Sequence, residues 1–240
     1  WLGSTEDALL HAGDIIQRAS ELAVTGANGS NPQDALNAIA DEVDQLLEHM
    51  VQIANSSQAG QYLFGGTKTK AVADEPYKPF QLLRDTDGNL YVQYEGNNQD
   101  RSTEIGAGIE FVYNVTGDEA FGMGSDQKTS LVFDSLIELS SNLRQGKTGD
   151  ISSDTIGKLN QALDHLVAQR AEVGAKVNRL EMTQSRLSSA NINFTSLLSK
   201  TEDLDVAEAI IYLKTQETVY RAALATGARI MQPTLVDFLR

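Results

Sequence analysis

With 240 residues, 41% of them hydrophobic, and a formal net charge of −14, the chain is long enough for one large domain or two smaller ones and too apolar for wholesale disorder. The acidity argues against nucleic-acid and anionic-membrane partners, both of which need basic surfaces, and no apolar run approaches the roughly 18 residues of a membrane span. Cysteine is absent and aromatics make up 6%, which excludes disulfides and thiolate metal sites and disfavours a large β-sandwich core.

The first predicted helix carries Leu9, Ala12, Ile16, Ala19 and Ala23 at helical spacing, with Leu22 beside them. Ser4 is either its N-cap, with Asp7 three residues on, or a mid-helix residue of a longer element. Gly26 to Pro32 breaks the pattern, and Pro32 suits the first turn of a second helix. The seam of that second helix is Leu36, Ile39, Val43, Leu46, Met50 and Ile53. Across both helices Glu6, Asp7, Asp14, Glu21, Asp34, Asp41, Glu42, Asp44 and Glu48 face Arg18 alone, which reads as a solvated acidic surface.

The period then shortens. Gln61 to Gly66 reads as extended chain. Pro79–Arg84 and Leu90–Tyr94 flank the turn Asp85–Asn89, a hairpin signal, and a second strand pair, around Thr103–Ile105 and Ile109–Val115, brackets Gly106–Gly108. Residues of about 60 to 125 therefore form a small β-insert, with Asp85–Asn89 and Gly96–Asp100 as polar outer turns tolerant of change. Helix resumes at Leu131 and breaks at Gly146–Gly149, after which Ser152, Ser153 and Asp154 are expected to cap a very long helix. Its seam is Leu159, Leu163, Leu166, Arg170, Val173, Val177, Leu180, Gln184, Leu187, Asn191, Phe194 and Leu198. The polar members Arg170, Gln184 and Asn191 suit fixing of register. Leu204–Asp205 marks a joint before the last helix.

That last helix, from Val206 to Arg240, places Val206, Ile210, Leu213, Tyr220, Leu224, Met231 and Leu235 on an apolar stripe. Isolated helices are marginal in water, and each buried Leu or Ile contributes roughly 1.5–3 kcal/mol, so the stripe needs a partner. With Trp1 opening the chain and no Met start, the partner is expected in a segment upstream or in neighbouring molecules. The pattern points to a building block.

Chemistry is sparse. His11, His49 and His165 lie on different helices without paired ligands at four-residue spacing. Asp85–Asn89 resembles a calcium loop but has Leu90 at the sixth position and Gly96 at the twelfth, where such a loop needs Gly and Glu. Gly106–Gly108 lacks the third glycine of a dinucleotide loop, and Gly122–Asp126 lacks the glycine after Ser that a nucleophile elbow needs. The Asn-x-Ser/Thr triplets at Asn28, Asn55, Asn114 and Asn193 carry little weight. No catalytic group, cofactor or metal is expected.

Trp1 to Leu9, followed by Arg18 to Val24, resembles the N-terminal region of bacterial flagellins and their relatives. Gly60 to Gly66 is similar to the segment closing that region in the hook-associated branch, and Tyr94–Asn97 and Gly117–Gly122 resemble β-domain motifs of the hook-associated protein 3 family. Asp205–Ile210, Gln216–Glu217, Ala222–Arg229 and Leu235–Arg240 are similar to that family's C-terminus. The resemblance implies a mainly α fold with inserted β (α+β): a rod-like antiparallel bundle of long helices with a β-domain between the second and third. Its expected parts are residues 1–59 and 130–205 for the helical rod, 60–129 for the β-domain and 206–240 for an assembly helix. It also implies a non-enzymatic protein exported by the flagellar type III apparatus and assembled at the hook–filament junction. The implied partners are the first hook-associated protein, flagellin, further copies of the chain in the flagellar lattice, and an export chaperone on the C-terminal helix. Neither nucleic acid nor membrane insertion is implied. The alternatives are a flagellin filament subunit, a non-flagellar coiled-coil adhesion or binding module whose β-knob contacts host or glycan, and, more distantly, an enzyme.

Overall fold

A computed structural model describes residues 1–69, 77–85, 88–106, 108–124, 126–203 and 205–231. The fold is mainly α with an inserted β region, and the chain divides into two units, Trp1–Thr183 and Gln184–Arg240.

In the first unit, helix α1 (Leu2–Gly26) buries Leu9, Ala12, Ile16, Ala19, Leu22 and Ala23, the residues its sequence spacing marks. Ser4 lies within α1, its hydroxyl donating to Gln58 Oε1 at 3.0 Å, so it is not an N-cap. The helix stops at Gly26, where any Cβ would meet Leu143 Cδ2 at 2.4 Å. Helix α2 (Gln33–Ala54) follows Pro32 and buries Leu36, Ala40, Val43, Leu47, Met50, Ile53 and Ala54. Ile39 and Leu46 of the expected seam are only partly buried. The reason is that α2 packs on α1 and also on α4 (Leu131–Arg144), so it buries a stripe wider than one coiled-coil seam. Part of the acidic surface is paired: Arg144 bridges Asp41 and Asp44, and Arg18 bridges Glu42 and Glu21.

Among the described residues, the strands of the insert between α2 and α4 form three separate two-stranded antiparallel ribbons, not one sheet. Strands β1 (Ser57–Gln58) and β2 (Gln61–Tyr62) pair first, so only two residues of Gln61–Gly66 are in a strand. Strands β3 (Phe80–Arg84) and β4 (Leu90–Tyr94) pair from Phe80↔Tyr94 to Arg84↔Leu90. Strands β5 (Ser102–Gly106) and β6 (Ile109–Val112) pair with an irregularity between Glu104 and Gly106. Thr86, Asp87 and Ala107, at the tips of the two expected turns, lie outside the described residues. A short helix, α3 (Gly117–Phe121), stands where sequence reading placed only insert. Its signal was Thr116-x-x-Glu119: the Thr116 hydroxyl accepts from Glu119 N–H, and the Glu119 carboxylate accepts from Thr116 N–H.

Beyond α4, Gly146 adopts φ +66 and ends the helix. Helix resumes earlier than expected, at α5 (Thr148–Asp150), continuing through a π-helical turn at Ile151–Thr155 into α6 (Ile156–Glu202). Ser152, Ser153 and Asp154 therefore sit inside the helical run rather than capping it, and Gly149 lies in α5. Within the first unit α6 buries Leu159, Ala162, Leu166 and Val173, while Leu163, Val177 and Leu180 are partly buried against the same core.

The second unit holds the distal part of α6, where Leu187, Phe194 and Leu198 are exposed, and helix α7 (Val206–Met231). Asp205 caps α7, its Oδ1 accepting from Ala207 N–H at 2.9 Å and Glu208 N–H at 3.2 Å.

Candidate assembly surface and the base of the β-insert

Val206, Ile210, Leu213, Tyr220 and Leu224 lie on α7, spaced four, three, seven and four residues apart, and are 52% to 66% exposed. Met231 is the last residue of α7; its side chain and the whole of Leu235 lie outside the described residues. The sequence stripe missed a second row. Tyr212, Val219 and Ile230 are as exposed, and with Ala209 and Ala223 they repeat at the same spacing one residue out of phase. One residue is about 100° around a helix of 3.6 residues per turn, so the apolar arc of α7 is broad. A run of 209, 212, 219, 223 and 230 is visible in the sequence; the stronger branched residues of the other row masked it.

A second site joins three segments far apart in sequence. Tyr94 ends β4 fully buried, its hydroxyl donating to Phe64 O at 2.9 Å and lying 3.1 Å from Asn97 O. The same oxygen accepts from Gly117 N–H at 3.2 Å. Burial drives the Tyr94 phenol well above its usual range, which keeps it protonated as a donor. Asn97 is locked to the Gly65–Thr67 loop: its Oδ1 accepts from Thr67 N–H at 2.8 Å and its Nδ2 donates to Thr67 Oγ1 at 2.7 Å. Asn98 Nδ2 donates to Asp118 at 2.9 Å, and partial burial raises the Asp118 carboxyl above its ordinary value. Phe80 packs on the tyrosine ring with 4.9 Å between centres, and Phe121, Phe133 and Phe64 extend the aromatic cluster from Phe80, with Phe64–Phe121 at 5.2 Å. Three of the segments that carry the family resemblance, Gly60–Gly66, Tyr94–Asn97 and Gly117–Gly122, thus meet in one cluster.

That cluster corrects one expectation. Gly96–Asp100 is not an outer turn tolerant of change, because a Cβ on Gly96 would stand 2.3 Å from the Tyr94 ring and Asn97 holds the loop opposite. Its physical job is to fix the insert to α4 through Phe121–Phe133 stacking at 5.2 Å. A neighbouring cation–π arrangement sets the Arg101 guanidinium 4.7 Å from the Trp1 ring and 5.2 Å from that of Tyr113.

Of the histidines, His165 Nε2 lies 2.8 Å from Glu119 O and braces α6 against α3. Among the described residues no group of three His, Cys, Asp or Glu is placed to hold a metal ion, and no helix is long and apolar enough to cross a membrane.

A broad apolar arc on α7 and a small insert pinned to a helical unit suit a subunit of a larger structure. Comparison with known proteins agrees. The bacterial flagellin N-terminal helical region matches residues 2–69 and the bacterial flagellin C-terminal helical region matches residues 156–239. Together they span more than half of the chain, which belongs to the bacterial flagellin family and is a structural component of the extracellular flagellum. Within that family it is 27% identical to a flagellin of Bacillus subtilis (strain 168) over 95% of this chain and 72% of that one. It is 25% identical to flagellar hook-associated protein 3 of Escherichia coli (strain K12), over 91% of this chain and 71% of the relative. Among solved structures it is similar to Bacillus cereus FlgL, with a TM-score of 0.61, 26% identity, and 80% and 85% of the two chains covered. The fold is also that of the flagellar junction protein FlgL from Legionella pneumophila, with a TM-score of 0.62, 15% identity, and 75% and 91% covered.

Proposed function

We propose that this chain is a hook–filament junction protein, joining the hook, through the first hook-associated protein, to the flagellin filament. The observation that carries the reading is the exposed apolar arc of α7, bearing Val206, Ile210, Leu213, Tyr220 and Leu224. Each such side chain left in water forgoes roughly 1.5–3 kcal/mol of burial, which packing among subunits of a lattice recovers. Likeness to hook-associated protein 3 and to FlgL structures supports the junction in particular. In this reading residues 1–59 and 130–205 form the helical rod, 60–129 the outer β-domain, and 206–240, with Met231 and Leu235, the assembly helix. Before export that helix is the segment a chaperone covers.

A filament subunit is the second reading, favoured by the 27% identity to flagellin over nearly the whole chain. The two differ in where the protein ends up. An epitope-tagged version in the native organism, located by immunogold microscopy, is expected as a single band between hook and filament. Label along the whole filament would overturn the junction in favour of the filament subunit; no label on flagella would overturn both.

A further inference from the structure

The loop between α1 and α2 contains Asn28–Gly29, the chain's only asparagine followed by glycine. Both residues are exposed, with Ser30 beside them. Asn28 Oδ1 accepts two hydrogen bonds from Ser30, from its backbone N–H at 3.2 Å and its hydroxyl at 2.9 Å. Gly29 N–H makes no hydrogen bond within the described residues, and a Cβ at Gly29 would have nothing nearer than Thr148 Oγ1 at 3.9 Å. An amide N–H without a hydrogen bond, open space beside its glycine and two donors on the neighbouring carboxamide oxygen are therefore gathered in three consecutive residues.

We propose that Asn28 is a self-modifying site that converts to aspartate and isoaspartate in the folded protein. The Gly29 amide nitrogen, losing its proton to solvent, attacks Asn28 Cγ. Negative charge develops on Oδ1, where the two Ser30 donors stabilise it as an oxyanion hole does. The C–Nδ2 bond breaks, ammonia leaves and a cyclic imide remains. Water then opens the imide at either carbonyl, giving aspartate or, with the chain rerouted through the side chain, isoaspartate. No oxidant or further reagent is needed. Other asparagines are worse placed. Asn31 precedes Pro32, whose nitrogen has no proton to lose. Asn55 is held at both ends, Nδ2 donating to Phe80 O and Oδ1 accepting from Phe80 N–H. Asn97 is locked by Thr67.

The product adds a negative charge five residues before the start of α2. There Gln33 Nε2 donates to Leu143 O and Arg144 O, tying α2 to the end of α4. Each copy in an extracellular polymer would thus carry a chemical record of its age at one end of its helical unit.

The test is to hold the purified chain in mildly alkaline buffer made with heavy-oxygen water and follow the Asn28 peptide by mass spectrometry. The expected result is conversion at Asn28 ahead of every other asparagine, with heavy oxygen incorporated and two isomers resolved by chromatography. Folded chain should convert faster than the excised peptide. Ser30→Ala should slow the folded chain several-fold while leaving the peptide unchanged, and Gly29→Ala should suppress the reaction in both. An Asn28 that converts no faster in the folded chain than in the peptide, or at a rate indifferent to Ser30→Ala, overturns the proposal. Circular dichroism of both variants establishes that they are folded.

Discussion

Tyr94 ties the insert together because one buried hydroxyl lies against three backbone groups, those of Phe64, Asn97 and Gly117. Tyr94→Phe would leave Phe64 O and Gly117 N–H without that partner, and an unsatisfied buried group costs about 1–3 kcal/mol. Chemical denaturation should show a loss of that size, with a thermal midpoint lower by about 2–4 °C per kcal/mol. Gly117→Ala acts on the same spot by crowding: its Cβ would meet Tyr94 Cε2 at 2.4 Å and Phe80 Cζ at 2.6 Å. Overpacking of that kind costs about 1–3 kcal/mol. Asp126 gives a pH prediction. Its Oδ1 accepts from the Thr129 hydroxyl, Thr129 N–H and Lys128 N–H, which hold its carboxyl down to about 2. A depressed folded-state value means that the turn's contribution is present above the ordinary carboxylate range and lost as pH falls through about 2. Amide proton shifts of Lys128 and Thr129 should titrate there; a midpoint near the usual aspartate value would show the turn is open in solution.

Helix α6 shows how an evenly apolar sequence divides into unequal roles. Leu166 is wholly buried, so Leu166→Ala should cost about 2–5 kcal/mol. Leu180 is half-buried, so the same change there should cost distinctly less, and Phe194→Ala, at a residue 71% exposed, should be close to neutral. Equal losses at all three positions, measured by denaturant melts, would mean that the distal seam is as packed as the proximal one. The heptad pattern alone could not rank them, because spacing marks which residues share a face and not what that face meets. The same limit explains α2, where Ala40 and Leu47 are buried in preference to Ile39 and Leu46 once α4 packs alongside. Strand pairs β3–β4 and β5–β6 were legible because turn residues and alternation agree locally. The Tyr94 cluster was not, since Phe64 and Gly117, the partners of its hydroxyl, lie 30 and 23 residues away and only tertiary contact joins them. Helix α3 was marked only by its capping pair Thr116 and Glu119, too short a signal to set a helix apart from the insert. The exposed stripe of α7 was legible from period alone; its second row, Tyr212, Val219 and Ile230, shares that period but was masked by the stronger residues of the first.

Charge is distributed over the whole molecule in a way that bears on assembly. From residue 184 onward the acids Glu202, Asp203, Asp205, Glu208, Glu217 and Asp237 are matched by Arg186, Lys200, Lys214, Arg221, Arg229 and Arg240. The net −14 therefore resides entirely in residues 1–183. Copies approaching through the second unit meet apolar surface and balanced charge, while their first units repel, so added salt should favour association. The assembly reading itself stands on Leu213 and Leu224, both more than half exposed on α7. In the double variant Leu213→Asp with Leu224→Asp, two carboxylates enter the apolar arc at positions already open to water. The thermal midpoint should therefore stay almost unchanged, while incorporation at the hook–filament junction, scored by microscopy and by swimming of a strain lacking the native gene, is lost. A fall in midpoint greater than about 10 °C, several times the shift of 2–4 °C per kcal/mol, would place α7 in the core of the monomer. Normal swimming with the variant would remove α7 from the assembly surface altogether.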